Sequence, residues 1–164
     1  RYGAPIELRK TVMTNSIRIR AAIQGDAATL AQFNAAMALE TEDLTLDPAT
    51  VRAGVDTMLN QPSLGFYLVA VNNGATVGSL MITSEWSDWR NGLFWWIQSV
   101  YVTPQSRRLG VFSRLFAEVR TMAAAQGNVC GLRLYVERDN GPAQQTYRRQ
   151  TMTETPYRLY QLTL

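Results

Sequence analysis

Val100-Tyr101-Val102-Thr103-Pro104-Gln105-Ser106-Arg107-Arg108-Leu109-Gly110-Val111-Phe112-Ser113 passes from an apolar strand through a short basic turn into a helix. β-Branched and aromatic residues favour the strand and Pro104 ends it. Val111, Leu115, Val119 and Met122 then recur at helical spacing, and Gly127 supplies a stop. A helix start presents backbone N–H groups that have no partner within the helix, at the positive end of its dipole, and glycine lets an anion approach closely. The turn is therefore suited to a pyrophosphate. Arg107 and Arg108 add charge-assisted bonds to the same oxygens, and Ser113 offers a hydroxyl. A P-loop or a dinucleotide fingerprint needs glycines and a lysine or acid at spacings that are missing here.

Outward from this turn, the chain reads as alternating elements. Ile17 to Arg20 alternates apolar and polar residues as a half-buried strand does, and Gly25-Asp26 leads into a helix from Ala27 to about Met37. The acidic stretch Glu40-Thr41-Glu42-Asp43 reads as a loop, and Asp47-Pro48 as the start of a second helix. Phe66 to Val71 and Thr76 to Thr83 flank Asn73-Gly74, a hairpin signature. A polar, tryptophan-bearing segment from Ser84 to Gly92 leads to a long strand from Leu93 to Val102. A helix to Gln126, a strand from Leu132 to Val136, a short helix from Pro142 to Arg149 and a last strand from Tyr157 to Leu164 complete the order β-αα-βββ-α-β-α-β. Residues 16–164 are expected to form one α/β domain, with residues 1–15 an N-terminal tail or upstream remnant and Met13 a candidate natural start.

Composition removes several mechanisms. The chain has no histidine, which excludes Ser-His-Asp and Cys-His pairs, HExxH metal sites and a histidine base. Lys10 is the only lysine, so Schiff-base chemistry has one poor candidate; Cys130 is alone, so neither an internal disulfide nor a cysteine zinc cluster can form. No metal is expected. The net charge of +3 is modest and the arginines are scattered, which argues against nucleic acid as the ligand. No apolar run approaches the roughly 20 residues of a membrane span, so a soluble, cytoplasmic protein with no membrane partner is expected.

The order of elements and the basic turn together resemble the GCN5-related N-acetyltransferase (GNAT) superfamily, whose phosphate-binding turn reads Gln/Arg-x-x-Gly-x-Gly/Ala. Arg107-Arg108-Leu109-Gly110 matches its first half, whereas Phe112 stands at the last Gly/Ala. Downstream, Asn140-Gly141-Pro142-Ala143-Gln144-Gln145-Thr146-Tyr147 resembles the family's Asn-x-x-Ala-x-x-x-Tyr segment. The resemblance covers roughly residues 16–164. It implies a three-layer sandwich, with a mixed central sheet of six to seven strands, helices on both faces, and splayed central strands that hold coenzyme A.

The resemblance also implies roles. Acetyl-CoA is the expected co-substrate, its arm bonding to freed backbone groups of Val100, Tyr101 and Val102 and its pyrophosphate to the turn Arg107, Arg108, Leu109, Gly110, Val111, Phe112 and Ser113. Asn140 would contact the cofactor arm, and Tyr147 would protonate the leaving thiolate as general acid. Backbone N–H groups around Val100 to Val102 would stabilise the oxyanion. Gln98 stands in a region of its strand where some relatives carry glutamate, so the base is sought elsewhere. Glu85 and Asp88 are the nearest candidates by topology, and Trp86 and Trp89 are candidate walls for a cationic amine. In Phe94-Trp95-Trp96-Ile97 alternate residues face opposite sides of the sheet, so at least one tryptophan there is structural. In the family the loop corresponding to Glu40–Asp43 borders the acceptor site. The expected reaction is acetyl transfer to a primary amine of a small molecule or peptide, in a possible homodimer. A non-catalytic acyl-CoA sensor is the alternative, favoured by Phe112 and by the absence of an evident glutamate base.

Overall fold

The computed structural model describes residues 17–164, so the expected N-terminal tail, residues 1–15, lies outside the described residues. The elements are β1 (Arg18–Ala21), α1 (Ala27–Glu42), α2 (Pro48–Asn60), β2 (Phe66–Asn72), β3 (Ala75–Ser87), β4 (Gly92–Val102), α3 (Val111–Gln126), β5 (Val129–Leu134) and α4 (Gly141–Arg149). The strands form one mixed sheet in the order β1-β2-β3-β4-β5, antiparallel except for the parallel pair β4–β5.

Side-chain alternation along the strands builds two apolar layers. On one face Leu68, Ala70, Leu80, Ile82, Trp95 and Ile97 pack against Val111, Leu115, Phe116 and Val119 of α3. On the other, Tyr67 and Val69 pack against Ala27 and Leu30 of α1 and Val55 of α2. Helices thus cover both faces, as expected. Gly78 seats α3 on the sheet, because a Cβ there would lie 2.9 Å from Val111 Cγ1 and 3.0 Å from the Tyr101 carbonyl.

Four sequence expectations are corrected. The sheet has five strands among the described residues, not six to seven: Tyr157 to Leu164 takes no ladder bonds, and Tyr160 is 88% exposed. Alternation equips a segment for pairing, but a strand exists only where a partner edge meets it. Helix α1 continues to Glu42 through good helix formers and ends at Asp43, whose backbone is left-handed. The first part of the tryptophan-bearing segment is strand: β3 runs to Ser87 because it pairs along its length with β4, and residues 88–91 form the turn. Strand β5 lies earlier than expected, since its partners on β4 run from Leu93 to Ile97.

Candidate active site

Two irregularities in β4 shape the site. Pairing with β5 stops at Ile97↔Leu134, while β4 runs on to Val102, so Val100 to Val102 lose their neighbour on that edge. On the other edge Gln98 faces Met81 and Tyr101 faces Ser79, which leaves Ser99 and Val100 opposite Leu80 alone. This is a β-bulge, and Ser99 takes the left-handed conformation it requires, at φ 49°. The bulge resets the alternation: Val100 and Val102 join the α3 layer, while the Tyr101 ring packs 4.9 Å from Phe33 of α1.

The basic turn follows directly. Arg108 and Gly110 both have positive φ, 64° and 79°, which opens the chain into α3. Helix α2 is capped by Asp47 and α4 by Asn140, but no side chain caps α3. Its first intrahelical bond runs from Arg114 N to Gly110 O, so the N–H groups of Val111, Phe112 and Ser113 are the orphan donors of its first turn. Leu109 and Arg108 are exposed beside them, and among the described residues Arg108 makes no side-chain bond. Arg107 is committed: its Nε donates to the Val102 carbonyl at 3.0 Å and its Nη2 pairs with Glu40 of α1. Glu40 also accepts from the Tyr101 hydroxyl at 3.1 Å, and burial together with this bond holds the Tyr101 phenol above its ordinary range. The Ser113 hydroxyl accepts from Gln150 Nε2 at 3.2 Å, which ties α3 to the end of α4.

Helix α4 carries the second motif. Pro142 occupies its first turn and Asn140 Oδ1 accepts from Ala143 N at 3.1 Å, so this asparagine is a helix cap here. Tyr147 stands edge-on to Phe112, with ring centroids 5.5 Å apart, and Phe112 leans in turn on Phe116. The bulky residue at the expected small position thus points its ring toward α4 and the core. Burial pushes the Tyr147 phenol upward, so it stays protonated at neutral pH.

The remaining candidates lie along the β3–β4 hairpin. Glu85 accepts from Trp96 Nε1 and, at 2.9 Å, from Arg133 Nη1 of β5. It sits opposite Phe94, about 17 Å along the strand from Ser99 at roughly 3.3 Å per residue. Trp86 is paired with Leu93 of the α3 layer, so by alternation it falls on the other face from Glu85. Asp88 accepts from Trp89 N in the hairpin turn, and Trp89 is 87% exposed. The structure therefore groups the turn, the strand gap and Tyr147 at one end, and leaves Trp86, Asp88 and Trp89 at the far end of the hairpin. Trp95, as expected of one tryptophan, is buried in the core.

One feature escaped the sequence reading. A cleft of about 400 Å³ lies between α1, α2 and the sheet, lined among others by Asn34, Met37, Met58, Tyr67, Met81 and Ser99. It meets the strand gap at the bulge, and no residue on its wall is charged. The signal was present in Met37, Met58 and Met81, but three methionines on separate elements form no local pattern.

The fold is that of an acyltransferase, and the comparisons with known proteins give its family. The model of the acetyltransferase (GNAT) family matches residues 33–152. A possible acetyltransferase from Clostridium difficile 630 is 41% identical over 90% of this chain and 97% of its own, with a TM-score of 0.84. The chain belongs to the GNAT family. Two solved structures share the fold at lower identity. A predicted acetyltransferase with acetyl-CoA from Clostridium acetobutylicum is 16% identical over 90% and 96% of the chains, with a TM-score of 0.73. An aminoglycoside acetyltransferase from an uncultured soil metagenomic sample, in complex with trehalose, is 17% identical over 90% and 97%, with a TM-score of 0.72. No curated protein matches the chain. Among the described residues there is no cluster of metal-ligating side chains and no helix long and apolar enough to cross a membrane.

Proposed function

We propose that the protein transfers the acetyl group of acetyl-CoA to a primary amine by direct attack, with Tyr147 as general acid. The observation that carries this reading is the departure of β4 from β5 beside an uncapped α3 start. An extended pantetheine arm fits the freed edge of Val100 to Val102 as a strand would. The orphan N–H groups after Gly110, with Arg108 beside them, suit the pyrophosphate.

In the reaction the amine lone pair attacks the thioester carbon, the C–N bond forms and the C–S bond breaks. The carbonyl oxygen gains charge as the amine attacks and returns it as the C–S bond breaks, and the backbone N–H groups around Val100 to Val102 are the proposed donors to it. The amine gives up one proton to solvent, and the Tyr147 hydroxyl delivers one to the departing sulfur. Its phenol, held above the ordinary value by burial, keeps that proton through neutral pH.

Tyr147→Phe tests the role. Turnover is expected to fall about 10- to 100-fold, within the range of general-acid contributions, with acetyl-CoA affinity almost unchanged in calorimetry. The wild-type rate should persist through neutral pH and decline only above about pH 10, the midpoint of an ordinary phenol, because burial raises this one, and the Phe variant should lose that decline. Acetyl-CoA binding without thiol release from a broad amine panel would instead identify a sensor. Acetylated product should be followed directly, because the exposed Cys130 thiol reacts with thiol reagents.

A further inference from the structure

The cleft between α1, α2 and the bulge constrains what is acetylated. Its volume, about 400 Å³, lies within the range of roughly 300–1,000 Å³ typical of small-molecule sites. The thioether, isopropyl and isobutyl groups of Met37, Met58, Met81, Val51 and Leu46 dominate its wall. Its polar groups are few: Asn34 Nδ2 donates to the Tyr67 hydroxyl at 3.2 Å, which fixes the amide beside the cleft with its carbonyl available to an N–H. The acidic groups nearby are already engaged or turned outward. Asp47 accepts from Thr50 N and Oγ1, Glu40 holds Arg107 and Tyr101, and Glu42 and Asp43 are exposed.

We infer that this cleft receives the body of the acceptor, and that the acceptor is a primary monoamine bearing an uncharged aryl or alkyl group. This rests on the acetyl-transfer reading of the same site. A second ammonium on a polyamine or aminoglycoside would lie against methionine and valine with no carboxylate on the wall to meet it, which is costly to the extent that the contact displaces its water. An apolar body is instead favoured by every wall, and methionines adapt to its shape. The same surroundings disfavour the ammonium form of the reacting amine, so more of the bound acceptor is the neutral nucleophile. This chemistry suits a strand that carries Gln98 where a carboxylate base would serve.

The test compares 2-phenylethylamine and hexylamine with 1,4-diaminobutane, all as acceptors of the intact protein. The monoamines are expected to exceed the diamine in kcat/KM by at least about tenfold. Gly54 lines the cleft from α2, and a Cβ there meets nothing within 4 Å, so larger side chains enter without disturbing the helix. Gly54→Leu should fill the cleft and raise KM for phenylethylamine about tenfold, with acetyl-CoA affinity unchanged. Gly54→Glu should shift preference toward the diamine. A diamine preferred by the wild type, with transfer intact, overturns the inference and leaves the acetyltransferase reading standing. If no amine is acetylated, calorimetry of phenylethylamine in the presence of coenzyme A decides. Binding that Gly54→Leu removes supports the inference, and absence of binding overturns it.

Discussion

Arg107 and Arg108 are neighbours with opposite situations. Arg107 spends its guanidinium on the Val102 carbonyl and Glu40, and so links the turn to α1; Arg108 is exposed and makes no side-chain bond among the described residues. A phosphate recruits an uncommitted arginine at lower cost than one that must leave a carboxylate. Arg108→Ala should therefore raise the acetyl-CoA Kd about tenfold, and Arg107→Ala only about threefold, as magnitudes for one charge-assisted contact. Releasing Arg107 by Glu40→Gln should enlarge the effect of Arg107→Ala, which a double-mutant cycle on Kd would reveal as coupling between the two. Additive effects would mean that Glu40 and the phosphates do not compete for this guanidinium. The Glu40–Arg107 pair is half exposed, so Glu40→Gln itself should change folding stability by less than about 1 kcal/mol.

At the scale of elements, the bulge in β4 is the feature on which the strand gap and the cleft both turn. Ser99 holds φ 49° without being glycine, a conformation that costs most for β-branched residues. Ser99→Gly should leave stability unchanged or improve it slightly, whereas Ser99→Val should lower it by about 1–3 kcal/mol in urea titration. Equal stability of the two variants would refute a left-handed residue 99. This bulge also marks what sequence could not reveal. Ile97-Gln98-Ser99-Val100 reads as uninterrupted strand, with no glycine to announce the irregularity. The turn at Gly110, by contrast, was legible because its glycine, its arginines and the apolar period of α3 lie within one short stretch. Glu40 misled the reading because its charge suggested solvent, although its partners Tyr101 and Arg107 lie more than sixty residues away in sequence. Local chemistry was readable wherever the residues that define it are close in sequence. The cleft, assembled from five separate elements, was not.

At the scale of the whole molecule, the α1–α2 layer must stay in register with the sheet, since the cleft lies between them. A part-buried ion pair fastens that layer at its start. Asp26, 7% exposed at the head of α1, receives both Arg20 nitrogens from β1, at 2.6 and 2.8 Å, and the Ile23 N–H at 2.8 Å. The Arg20 guanidinium, more than the opposing effect of burial, holds the Asp26 carboxyl below the usual carboxylate range. A carboxyl depressed on folding contributes stability that is complete above its unfolded value of about 3.9 and disappears as pH falls through the lower folded value. Asp26→Asn should therefore cost about 1.5–3 kcal/mol at pH 7, the range for hydrogen bonds to a charged group, and much less at pH 2. Urea midpoints of both proteins at the two pH values measure this difference directly. Asp47, whose carboxyl is also depressed by Thr50, titrates equally in both proteins and cancels from the comparison. If the variant is as far below the wild type at pH 2 as at pH 7, the Asp26 charge does not hold the layer to the sheet, and shape alone must do so.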